Sequence, residues 1–201
     1  VFQRIAGSLV LILLLATAAA SAGTIRGVSG LIEIPSADSL AANSIEAGVH
    51  FIDGKPAMSI SAGLASRLEV GLNTDPKDTD LNVTMKGVVL VETRENPGMA
   101  IGYDSGSLYF VLSKAFSGVR GHIGFGNGRY GGVFGGISVP LNPVTVAPRG
   151  QVRPTTLLLL EHNGRTLSAG VRLGLSANLK ANLAILDLNK AVIGLTWSTQ
   201  L

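Results

Sequence analysis

From Ser44 onward the chain repeats one pattern: apolar and polar residues alternate in short runs, and turn residues separate the runs. Ser44, Glu46, Gly48 and His50 alternate with Ile45, Ala47, Val49 and Phe51. The same period recurs at Ala57 to Leu64, Arg67 to Asn73, Leu81 to Lys86, Val119 to Gly126, Thr166 to Leu173 and Leu179 to Ile185. A two-residue period puts each set on one face of a strand and is incompatible with an amphipathic helix. Between the runs lie Asp53-Gly54-Lys55-Pro56, residues 73–80, Glu95-Asn96-Pro97-Gly98, Asp104-Ser105-Gly106, Asn127-Gly128 and Asn163-Gly164. Asn-Gly between two alternating runs is a strong hairpin signal, because both central residues of such a turn tolerate positive φ. The pattern predicts an all-β chain of about twelve antiparallel strands, each paired with its sequence neighbour.

Past Ala22 no uncharged apolar run approaches the roughly 20 residues that a membrane helix needs; Thr155 to Leu160 is strand-sized. An antiparallel sheet with one apolar face can close over that face as a soluble sandwich or calyx, or around its polar face as an outer-membrane barrel. Only 14% of the 201 residues are charged and 26 are glycine, against about a quarter charged and about 7% glycine in ordinary globular domains. One face is aliphatic and nearly uncharged over many strands, as lipid contact requires. The other mixes Ser, Thr, Asn, Gly, Lys, Arg, Glu and His, as a narrow polar lumen would. Both features favour an up-and-down transmembrane β-barrel. With aromatics at 5%, its interfacial belts of Tyr, Trp and Phe are expected to be sparse. The formal net charge of +3 is too thin to suggest nucleic acid.

Residues 1–22 read as a secretory signal: Arg4, an apolar stretch from Ile5 to Leu15, and the small-x-small sequence Ala20-Ser21-Ala22. The barrel domain is then expected over 23–201, delivered across the inner membrane and inserted into outer-membrane lipid by the barrel-insertion machinery. The absence of cysteine avoids stray disulfides on that route. The connection from Leu141 to Pro154, with Pro140, holds four of the eight prolines. It reads as a loop outside the sheet, exposed at the surface or folded into the mouth as a plug.

Several segments, in order, resemble the bacterial YjbH-like family associated with exopolysaccharide and group 4 capsule. They begin with a Gly-Leu-Ile-x-x-Pro-Ser-Ala element at Gly30 to Ala37, followed by an Asn-Ser-Ile-x-x-Gly strand ending at Gly48. LASRLEVGLN spans Leu64 to Asn73, and a hairpin from Glu95 closes on Ser-Lys-x-Phe at Phe116. GHIGFGNGRYGG leads into a Phe-Gly-Gly strand, and Glu161, Asn163 and Gly164 form a Glu-x-Asn-Gly hairpin. Family members are longer, so this chain resembles a single-barrel version. The resemblance implies a non-catalytic outer-membrane barrel serving export or surface assembly of polysaccharide, with polysaccharide export components as partners. The residues themselves leave open a structural or small-solute pore barrel, a barrel-embedded lipid hydrolase, and a soluble periplasmic protein that binds an apolar ligand.

Chemistry is thinly represented. His50, His122 and His162 lack metal-ligand spacing, no cofactor motif is present, and no lysine follows the Gly-rich stretch from Gly121 to Gly136 as a phosphate loop requires. The candidates are lumen-lining: Glu46, His50, Arg67, Glu69, Lys86, Tyr109, Arg120, His122, Tyr130, Glu161, Arg172 and Lys180. Mixed charges on the polar phase of a small barrel either pair with one another and fill the lumen or face a solute.

Overall fold

The computed structural model describes residues 23–76, 80–141 and 155–201. The predicted signal and nearly all of the Pro-rich connection lie outside these residues. Twelve strands are described: β1 (Ser44–Ile52), β2 (Lys55–Ala65), β3 (Leu68–Thr74), β4 (Leu81–Leu90), β5 (Gly98–Asp104), β6 (Ser107–Phe116), β7 (Val119–Gly126), β8 (Gly132–Pro140), β9 (Thr155–His162), β10 (Leu167–Gly174), β11 (Leu179–Leu186) and β12 (Lys190–Gln200). Each pairs antiparallel with its neighbours, and β1 closes on β12 from Ser44 opposite Gln200 to Ile52 opposite Val192. Closure leaves no strand edge unpaired, which is what allows a sheet to sit in lipid.

The alternation read from the sequence sorts side chains across this wall. Val49, Met58, Ile60, Val83, Met85, Ile101, Ile123, Leu183 and Ile193 are exposed on the outside, while Glu46, His50, Ser61, Glu69, Lys86, Glu161 and Arg172 are buried inside. An apolar skin that circles the molecule far exceeds the patches a soluble monomer exposes, and it fits a bilayer. The odd-numbered strands run toward the end of the barrel formed by their hairpins. There Phe51, Tyr103 and Phe125 stand next to last in β1, β5 and β7. Phe116 ends β6 and Trp197 lies near the end of β12 at the opposite rim. Both interfaces are therefore marked, each by few rings.

Hairpins form at both Asn-Gly pairs, joining β7 to β8 and β9 to β10, but the expected turn geometry is corrected. The tight two-residue turns with positive φ at both positions are Asp53-Gly54 (φ 50 and 78) and Ser105-Gly106 (φ 49 and 87). They are not the Asn-Gly pairs. Asn127 is extended and opens a single 3-10 turn at Gly128–Tyr130, and of Asn163-Gly164 only Gly164 has positive φ. Several inward glycines serve packing. A Cβ on Gly102 would lie 2.3 Å from the Tyr109 ring, one on Gly124 2.2 Å from Phe134, and one on Gly194 2.1 Å from His50. Each of these three glycines leaves room for a large side chain from a neighbouring strand.

Candidate functional site

The lumen is not an open polar channel. Residues 23–43, which precede β1, run inside it. This segment has its own backbone scaffold: Thr24 N–H donates to Val28 O (2.6 Å), Ile25 to Ile32 O (2.9 Å), Leu31 to Ile34 O (3.0 Å) and Ser36 to Ser29 O (3.0 Å). It reaches the hairpin end, where Arg26 pairs with Asp75 at 2.9 Å and Asn163 donates to Glu33 at 3.1 Å. It then returns to the rim that holds the strand termini, where Asp38 meets Arg120 at 2.7 Å. The segment folded into the barrel thus lies at the front of the domain, while the connection that the sequence nominated as a plug lies outside the described residues.

Charged residues of the wall grip the backbone of this segment. The Glu161 carboxylate, from β9, accepts the successive amides of Ile32 (2.8 Å), Glu33 (2.8 Å) and Ile34 (3.4 Å). Consecutive N–H groups turned toward one point form an anion-binding concavity. Here the wall supplies the anion. Glu69 of β3 accepts from Ser29 N (2.7 Å), Ser29 Oγ (2.6 Å) and Leu40 N (3.1 Å). Arg172 of β10 does the complementary work. Its guanidinium donates to the carbonyls of Gly30 (3.1 Å), Leu31 (2.6 Å) and Gly23 (3.2 Å), and its Nε to Asn182 (2.8 Å). Lys86 of β4, fully buried, donates to Ser29 O at 2.8 Å and lies 3.4 Å from Glu69. Glu46 accepts from Gly23 N and lies 3.8 Å from Lys180.

Of the two roles foreseen for the mixed charges, ion pairing is what five of the eight charged candidates do: Glu69 with Lys86, Glu46 with Lys180, and Arg120 with Asp38 and Glu92. Glu161 and Arg172 are satisfied chiefly by peptide groups of the segment. Burying a charge is costly unless it is paired or fully hydrogen-bonded. Glu161 and Arg172 reach that condition only with the segment in place.

The segment also carries apolar residues into the barrel. Ile25, Leu31, Ile32, Ile34 and Ala37 cluster with Ala57, Ala100, Val111, Leu159 and Val192 of the wall and with Tyr109, Tyr130 and Phe134. Tyr109 and Tyr130 meet edge to face at 5.2 Å, and Tyr130 and Phe134 pack tilted at 5.0 Å. Tyr130 donates its hydroxyl to Asp104 at 3.0 Å. Burial, aided by that carboxylate, pushes its phenol well above the ordinary range. These rings are core, packed on one another rather than presented to a sugar. The interior space beside Gly23, His50 and Arg172 amounts to about 10 Å³, too little for more than one water.

The remaining candidates are placed as follows. His50 lies inside with its Nε2 3.4 Å from Asn182 Nδ2. Arg120 bridges Asp38 and Glu92, each at 2.7 Å. Arg67 stands exposed in the turn between β2 and β3, outside the lumen. His122 Nδ1 is 2.8 Å from Ser113 Oγ, which also accepts from Ala37 N at 2.8 Å. A Ser–His pair is the start of a hydrolase arrangement, but this serine is buried, with its hydroxyl spent on the segment and the histidine. Among the described residues no group of three or more His, Asp or Glu gathers to hold a metal.

Sequence reasoning missed residues 23–43 as an internal element, together with Ser29, Ser61, Asp104 and Ser113. One signal was available. Ile25, Val28, Leu31, Ile32 and Ile34 are strongly apolar, yet Gly27, Gly30 and Pro35 break any regular element they would form.

At the level of class, the molecule is an outer-membrane β-barrel of twelve strands with an occupied lumen. No known protein family matches the sequence, and no curated protein does, so the YjbH-like resemblance gains no support from either comparison. Solved structures do match the fold. The KdgM porin is similar at a TM-score of 0.51 and 13% identity, over 78% of this chain and 99% of that one. The outer membrane protein Omp33 of Acinetobacter baumannii gives 0.48 at 8% identity, over 79% and 97% of the two chains. KdgM in complex with disordered oligogalacturonate gives 0.45 at 14% identity, over 78% and 99%.

Proposed function

We infer that this chain is a non-catalytic, porin-like barrel for small solutes, which its own segment 23–43 holds shut until that segment is displaced. The observation that carries the reading is the use of Glu69, Glu161 and Arg172: buried charges of the wall are spent on the segment's peptide groups, so passage and plug compete for the same residues. The fold likeness to the KdgM porin supports the pore half of the reading. A liposome-swelling assay with small sugars tests it. The intact protein should admit them slowly and Glu161→Ala several-fold faster, with heat-modifiable migration confirming that both are folded. Equal swelling rates would contradict it.

A second reading, export or surface assembly of envelope polysaccharide, is favoured by one specific observation. The elements that resemble the YjbH-like family converge on the segment. Gly30 to Ala37 is the segment itself, and Glu161 and Asn163 of the Glu-x-Asn-Gly hairpin bind it. Glu69 of the second element and Ser113 of Ser-Lys-x-Phe bind it as well. On this reading, loss of the gene reduces surface polysaccharide, and a plasmid carrying Glu161→Ala restores it poorly. Unchanged polysaccharide in the deletion strain would exclude it.

A further inference from the structure

The barrel presents a buried carboxylate to one backbone nitrogen whose neighbours in the sequence give it special standing. Glu46, on the inner face of β1 and only 3% exposed, accepts a hydrogen bond from Gly23 N through Oε1. Its other oxygen, Oε2, makes no hydrogen bond among the described residues and lies 3.8 Å from Lys180 Nζ, beyond hydrogen-bond distance. Gly23 is itself buried, its carbonyl is held by Arg172 Nη2 at 3.2 Å, and a Cβ there would come within 2.5 Å of Glu46 Oε1. Immediately before Gly23 stands Ala20-Ser21-Ala22, the small-x-small sequence that a signal-removing endopeptidase reads.

We propose that hydrolysis of the Ala22–Gly23 peptide bond gives Glu46 a second cation, nearer than Lys180: the new α-ammonium of Gly23 sits inside the barrel as an ion pair with that carboxylate. Water adds across the bond, Ala22 leaves as a carboxylate, and the Gly23 amine takes up a proton. An uncleaved amide offers Glu46 one neutral N–H. The ammonium offers three donors and a full charge, enough for both carboxylate oxygens, and charge-assisted bonds of this kind are roughly twice as strong as neutral ones. Glycine fits the position because any side chain would meet the carboxylate. Processing and plugging are thereby coupled, since the proteolytic event that frees the chain from its leader also supplies the charge that anchors the front of the segment.

The test uses protein purified from outer membranes. Intact mass should show a chain that begins at Gly23. An amine-acylating reagent applied near neutral pH should modify the Gly23 α-amine at least about tenfold more slowly in the folded barrel than after unfolding, as expected of a group protected by native structure. In Glu46→Gln, checked for folding by heat-modifiable migration, the protection should largely disappear. A different N-terminal residue, or an α-amine that reacts equally in the folded and unfolded protein, overturns the proposal. Neither result depends on whether the barrel conducts.

Discussion

Glu161 shows how much one side chain organises here. It is 1% exposed, it pairs with no cation among the described residues, and it accepts three consecutive amides of a segment about 130 positions away. Hydrogen bonds to a charged group contribute about 1.5–3 kcal/mol each, and a buried amide left unsatisfied costs about 1–3 kcal/mol. Glu161→Gln removes the charge but keeps one acceptor, whereas Glu161→Ala leaves the amides without a partner. Hydrogen exchange at Ile32, Glu33 and Ile34 should therefore speed up about tenfold in the first variant and further in the second, since each tenfold reflects about 1.4 kcal/mol. Exchange indistinguishable from that of the native protein would mean that the carboxylate does not hold the segment. Gly102 is a second sensitive position, governed by space rather than charge. Gly102→Val drives a side chain into the Tyr109 ring and should cost about 1–3 kcal/mol, the usual penalty for overpacking. Gly87→Val, at a position with nothing within 4 Å, should cost far less. Urea-driven unfolding in lipid vesicles compares the two.

The elements were legible in the sequence to very different degrees. β1, β2, β3, β10 and β11 could be drawn from alternation alone, because one face of each meets lipid and the other a buried interior, and a slip of one residue would exchange the faces. The segment 23–43 could not. Its structure is fixed by partners that sequence proximity does not reveal, such as Glu161 for Ile32 and Arg172 for Leu31, and Gly27, Gly30 and Pro35 interrupt its own pattern. The inward residues were legible as a polar phase, but their purpose was not. A Glu in that phase reads the same whether it meets a lysine, a solute or a peptide amide. The complete lack of cysteine makes the placement of the segment open to a direct check. Ala37 N lies 2.8 Å from Ser113 Oγ, so Ala37→Cys combined with Ser113→Cys brings two thiols into the same neighbourhood. Mild oxidation of outer membranes should link them within one chain, the oxidant taking two electrons and two protons, seen as a loss of two hydrogens in the intact mass. Failure to link in the folded barrel would place the segment elsewhere.

At the scale of the whole molecule, the barrel is built from two surfaces with opposite demands. The outer surface is aliphatic and must stay so. Ile101, midway along β5 and 53% exposed, should tolerate no charge, and Ile101→Arg is expected to cost about 2–4 kcal/mol in a bilayer, the depth-dependent penalty for arginine on a lipid-facing wall. Folding titrations into vesicles measure it. The inner surface joins charged groups with an apolar cluster, and both are completed only by the chain's own front segment. Closure of the sheet from β1 to β12 makes a cylinder, and residues 23–43 occupy its interior. The low charge and high glycine content have the same origin. Most residues face either lipid or a tightly filled interior, and glycine leaves room inside for rings, histidine and the segment. Single-channel recording in planar bilayers tests this account most directly. The processed chain should be nearly silent, and a variant lacking residues 24–40 should show long-lived current steps in a folded, heat-modifiable barrel. Equal conductance in both, whether open or closed, would contradict the claim that the N-terminal segment shuts the lumen.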